Sequence, residues 1–150
     1  MLTRRTFLTA TAALPLVVSG PAFASEPEIL SYDGAAIGGY DPVAYFKQSE
    51  PVKGDPAHTT TWKGAEWRFA SADNKAAFEA DPEAYAPKYG GYCAYAASKG
   101  YVAPTEADAW SIHDGKLYLN YNKRVRGIWG KDIPGNIAKA DANWPGPLSN

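Results

Sequence analysis

Tyr89-Gly90-Gly91-Tyr92-Cys93-Ala94-Tyr95-Ala96-Ala97-Ser98-Lys99-Gly100 contains the only cysteine of the chain and reads as a short helix opened by two glycines. Gly90-Gly91 admits turn conformations closed to other residues, Ala94, Ala96 and Ala97 favour helix, and Gly100 is a natural C-terminal stop. The spacing places Cys93 in the first helical turn. There, unpaired N–H groups and the positive end of the helix dipole favour a thiolate, the form of cysteine that attacks or ligates. The competing expectation is a small core residue, because free cysteine is among the most buried residue types.

Working outward from this stretch, His58 to Ala70 predicts a hairpin turning at Lys63-Gly64. That register sets Trp62 against Ala65, Thr60 against Trp67 and His58 against Phe69, so all six share one face. Ser71 is expected to cap a helix from Ala72 to Ala80, and Asp81-Pro82 to start a further turn. Earlier, Asp41-Pro42 reads as the start of a helix of one or two turns, after a short strand near Glu28–Tyr32 and a turn at Asp33-Gly34. Downstream, Asp114-Gly115 is a two-residue turn between Trp110–His113 and Lys116–Leu119. Ile112, Leu117, Trp110 and Leu119 then form an apolar face, with His113 on the other. Asn122 caps a helix through Trp129, and Asp132-Ile133-Pro134 opens the last one, ending near Asn143. The fold class is therefore α+β: a small single domain with two β-hairpins and several short helices.

Thr3-Arg4-Arg5-Thr6-Phe7-Leu8, an apolar run to Val18, and Ala22-Phe23-Ala24 together have the form of an export signal over residues 1–24. The paired arginines resemble a twin-arginine signal. Export to the periplasm or beyond follows, with no membrane span in the mature chain. Residues 25–37 read as an N-terminal tether, and 38–150 as the domain proper. Without Arg4 and Arg5, the 15 basic residues fall about three short of the 16 acidic ones, so no electrostatic footprint for nucleic acid is present. A single cysteine forms no intramolecular disulfide. With Met1 in the signal, the soft or borderline metal ligands reduce to Cys93, His58 and His113, which excludes a methionine-rich copper site.

Tyr40-Asp41-Pro42-Val43, Trp62-Lys63-Gly64-Ala65-Glu66-Trp67-Arg68-Phe69-Ala70-Ser71, Asn74-Lys75, Phe78, Asp81-Pro82, Tyr85 and Tyr89-Gly90-Gly91-Tyr92-Cys93-Ala94 together resemble the YHS domain in its exported single-domain form. The resemblance runs over about Gly38 to Gly100, with a C-terminal hairpin-helix extension beyond it. It implies a small α+β domain, some relatives of which bind copper or other transition metals through cysteines. Those relatives carry cysteines where this chain has Ala44, Ala70 and Asn74, so their ligand set does not transfer.

Three functions are consistent with these residues. The first is metal handling, with copper favoured and zinc second, using Cys93 with His58 or His113. The second is a non-catalytic module for a small ligand or protein partner, with a structural Cys93 and a groove at Tyr89, Gly90, Gly91 and Tyr92. The third is a single-thiol redox sensor. A hydrolase using Cys93 with a histidine base is conceivable chemically, but no third orienting residue or oxyanion element can be assigned to it, so the reading favours a protein that is not an enzyme.

Overall fold

A computed structural model describes residues 10–16 and 25–150. The export signal expected over 1–24, with its cleavage site, lies outside the described residues except for 10–16, which carry no regular structure. No helix among the described residues is long and apolar enough to cross a membrane.

The architecture is α+β, built on three separate antiparallel hairpins instead of the two expected. They are β1 (Ser31–Tyr32) with β2 (Ala35–Ala36), β3 (Asp55–Trp62) with β4 (Ala65–Phe69), and β5 (Trp110–His113) with β6 (Lys116–Leu119). Each turns on two residues of positive φ whose second member is glycine: Asp33-Gly34, Lys63-Gly64 and Asp114-Gly115. That backbone matches the twist of the flanking strands. Between and after them lie α1 (Ala44–Lys47), α2 (Ala72–Ala80), α3 (Pro82–Tyr85), α4 (Ala94–Lys99), α5 (Lys123–Trp129) and α6 (Ile133–Asn143). The caps follow local chemistry. Ser71 Oγ accepts from Asn74 N at 3.1 Å, Asn122 Oδ1 from Val125 N at 2.9 Å, and Gly100 ends α4 at φ 89°.

The register of the second hairpin agrees with expectation at Thr60–Trp67 and Trp62–Ala65 but not at His58. Phe69 pairs with Asp55, and an irregularity separates Asp55 from Thr59. Pro56 supplies no N–H, and Asp55 Oδ1 takes the N–H of Ala57 at 2.8 Å, so the ladder is interrupted just before His58.

Residues 25–37 are not a tether. Ile29, Ala35, Ala36 and Ile37 are buried, Glu26 N donates to Leu148 O at 2.7 Å, and Leu30 N donates to Gly90 O at 2.8 Å. This segment closes the domain against the organising stretch. In the third hairpin, Ile112 is exposed whereas Tyr118 on the opposite face is buried, because β6 lies between two cores. Leu117 and Leu119 join the first core, with Trp67, Phe69 and Phe78, whose rings sit 5.1 Å apart in the Trp67–Phe78 and Phe69–Phe78 pairs. Tyr118 joins the second, with Tyr89, Trp129 and the alanines of α4 and α6.

Asp41 ties the N-terminal parts together. It is fully buried; Oδ1 accepts from Val43 N (2.8 Å) and Ala44 N (3.3 Å), and Oδ2 from Ala70 N (2.8 Å) and Asn74 Nδ2 (2.7 Å). One carboxylate thus opens α1, receives the end of β4 and fixes α2.

Candidate functional site

Cys93 does not lie within a helical turn. Tyr89, Gly90 and Gly91 all have positive φ, Tyr92 is extended, and Cys93 at φ −58°, ψ 120° immediately precedes α4. Its side chain is 1% exposed. The thiol donates to Asn120 Oδ1 at 3.5 Å, and Tyr121 N donates to the sulfur at 3.3 Å. Asn120 Oδ1 also accepts from Tyr95 N at 3.1 Å, so a side chain from the end of β6 caps α4 where Cys93 itself does not. The orientation of the Asn120 amide is fixed by these two donors, which leaves its buried Nδ2 without a partner.

His58 lies in the irregular part of β3, and His113 sits beside its own turn, with Nε2 3.4 Å from Asp114 Oδ2. Neither hydrogen-bonds to Cys93. Among the described residues no three His, Cys, Asp or Glu side chains form a group able to hold a metal ion, so Cys93, His58 and His113 are not brought together. We expect Cys93 to resist alkylation in the folded protein and to react on unfolding. Cys93→Ser, which keeps donor and acceptor, should alter stability little. Cys93→Ala, which strands the Tyr121 N–H, should cost about 1–2 kcal/mol by thermal unfolding.

The organising stretch instead forms the floor of a cleft of about 380 Å³. Tyr89 and Gly90 line it, with Ile29 and Pro87 alongside and the indoles of Trp62 and Trp144 as walls. Gly91 and Tyr92 do not. Gly91 packs against Ile37, and Tyr92 lines a separate cavity of about 270 Å³ while donating its hydroxyl to Pro27 O at 2.8 Å. Gly90 runs so close to the carbonyl of Glu28 that a Cβ would overlap its oxygen. Tyr89 holds φ 60°, a left-handed conformation that costs a bulky residue of order 1 kcal/mol and here turns its ring into the second core.

Three cations and three carboxylates line the cleft. Lys63 Nζ reaches Glu28 at 3.0 Å and Glu83 at 3.7 Å, Lys88 Nζ reaches Asp141 at 3.8 Å, and Lys116 Nζ contacts only the Glu83 carbonyl at 3.5 Å. Tyr89 donates to Asp141 Oδ1 at 2.9 Å. Burial first, and the hydrogen bond to Asp141 second, push the Tyr89 phenol well above its ordinary 10.0, so it stays a neutral donor across the physiological range. The hydrogen bond to Glu28 raises Lys63 above 10.5 and keeps it charged. The site therefore gathers ammonium groups, carboxylates, one of them held by Tyr89, and the aromatic residues Trp62 and Trp144 in one place. Except at Tyr89 and Gly90, its lining was not anticipated from sequence; Trp62, Lys63, Glu83, Lys88, Lys116, Asp141 and Trp144 meet only through the fold.

Compared with family models, curated proteins and solved structures, the chain matches none.

Proposed function

We propose that this chain is an exported, non-catalytic recognition module of the YHS type, in which the Tyr89–Gly90 cleft takes a small polar organic ligand and Cys93 is structural. The observation that carries the reading is the cleft itself. A strained, buried Tyr89 and a glycine pressed onto the Glu28 carbonyl build its floor, and six charged side chains line it. Its volume falls within the range of small-molecule sites, and its lining, more highly charged than is usual for them, suits a polar ligand over an apolar one. Burial of the sulfur speaks against the metal-handling and thiol-sensor readings, both of which require access to it.

One feature supports the YHS assignment. Three separate pieces of the motif, Asp41, Ala70 and Asn74, meet at one carboxylate, and Ala44 joins them. Of the positions where metal-associated relatives carry cysteines, Ala44 and Ala70 reach Asp41 through their backbone N–H groups and Asn74 through its side chain. Export is supported by the arginine pair, the apolar run and the small-residue cleavage pattern of residues 1–24.

The test is a two-dimensional NMR titration of the mature protein with a panel of small amino acids, amines and organic acids. A member of the panel should shift the Gly90 amide together with the Trp62 and Trp144 indole N–H signals, and Lys88→Gln should weaken its binding roughly tenfold by removing one charged donor. Shifts confined to other surfaces, or none with any compound, would overturn the assignment of the cleft.

A further inference from the structure

We infer that the ligand of the Tyr89–Gly90 cleft is an organic carboxylate with an apolar body, its head group received by Lys88 and Lys116, an assignment that rests on the cleft being the recognition site. The six charged side chains of the lining are not equally committed. Two of the three acids are held at hydrogen-bond length, Glu28 by Lys63 at 3.0 Å and Asp141 by the Tyr89 hydroxyl at 2.9 Å. The third, Glu83, lies 3.7 Å from Lys63, and its side chain is 74% exposed, so water satisfies it. On the basic side only Lys63 has a partner at such a distance. Lys88 Nζ stands 3.8 Å from Asp141, beyond hydrogen-bond length and beside the same oxygen that Tyr89 already occupies. Lys116 Nζ has one contact, at 3.5 Å, with the uncharged carbonyl of Glu83.

An ammonium carries three donors and no acceptor, so the unspent hydrogen-bonding capacity of the cleft is that of two cations. An amine would have to take Glu28 from Lys63 or Asp141 from Tyr89, whereas a carboxylate meets Lys116 without parting any ion pair. The two cations come from separate parts of the fold. Lys88 precedes the floor of the cleft and stands 5.7 Å from the centroid of the Tyr89 ring, and Lys116 is the first residue of β6. Half-buried Trp62 and Trp144 line the same space, and Trp144 packs on Tyr89 with ring centroids 5.5 Å apart. Aromatic surface beside two cations with donors to spare suits a ligand whose carbon body is apolar and whose head is anionic.

The probes are phenylacetate, phenylacetamide and phenethylamine, which differ in the head group on one phenyl body, with acetate as the head group alone. Each is titrated into the mature protein at neutral pH and constant ionic strength and read by the Gly90 amide and the Trp62 and Trp144 indole signals. Phenylacetate should bind roughly tenfold more tightly than the amide or the amine, and roughly tenfold more tightly than acetate. In the Lys88→Gln/Lys116→Gln double variant the preference for acid over amide should fall to near one, with the affinity for the amide and the unfolding midpoint unchanged; a merely structural role would weaken both compounds alike. Lys139→Gln, on α6 outside the cleft, should keep the preference. Amide or amine binding as tightly as the acid, or an acid preference that survives the double variant, would overturn the carboxylate assignment and leave the cleft standing. The same holds if these four compounds are silent while another compound of the wider panel shifts the three signals. Silence with every compound removes the cleft as well.

Discussion

Asp41→Asn should lower the stability of the domain by at least about 3 kcal/mol, a drop of roughly 10 °C in unfolding midpoint for a domain of this size. The substitution preserves shape and removes only charge and one acceptor. Both carboxylate oxygens of Asp41 are occupied by two donors each, within 3.3 Å and away from water. An amide must turn its NH2 group toward one of those pairs. Either Ala70 N and Asn74 Nδ2, or Val43 N and Ala44 N, then face a donor, and each stranded buried donor costs about 1–3 kcal/mol. The same exchange at Asp55, which is exposed and holds only Ala57 N at 2.8 Å, should cost well under half as much. Equal midpoints for the two variants in thermal or urea unfolding would show that Asp41 does not link the three elements it touches.

The second large effect is expected at Gly90. With φ at 63°, any L-residue there is strained, and an added methyl group would also collide with the Glu28 carbonyl. Relief requires the 28–30 segment to move, which breaks the 2.8 Å bond from Leu30 N to Gly90 O and opens the floor of the cleft. Gly90→Ala should therefore lose roughly 3 kcal/mol or more and abolish the NMR response of the Trp62 and Trp144 indoles to a cleft ligand. Gly115→Ala supplies the contrast. Its φ is similarly positive at 74°, but nothing lies near an added Cβ, so only the conformational penalty of about 1 kcal/mol is expected. Similar losses at both glycines would mean that the close approach at Gly90 carries little energy.

What was legible in the sequence is what local chemistry decides. Asp33-Gly34, Lys63-Gly64 and Asp114-Gly115 place their turns because each needs two positive φ angles, and Ser71 and Asn122 start helices because their side-chain oxygens reach the third N–H onward. The α+β character follows from those signals. Alternation read as far as His58 sets it against Phe69, but the irregularity between Asp55 and Thr59, where Pro56 cannot donate to the ladder, gives that place to Asp55. Cys93 stands just before the helix, not in its first turn, and its surroundings come from elsewhere: Asn120 and Tyr121 lie 27 and 28 residues downstream, and no local pattern announces them. The cleft was hidden for the same reason. Its charged lining runs from Glu28 to Asp141, and residues that distant are brought together only by packing of the two cores.

The bond from Glu26 N to Leu148 O has a wider meaning for how this chain could be rewired. With the two extremities of the folded body held side by side, the backbone describes an almost closed loop, and its point of opening is not dictated by the core. A circular permutant joined across that seam by a short linker, and cut instead between Asp114 and Gly115 at an open surface turn, would retain both cores and the cleft.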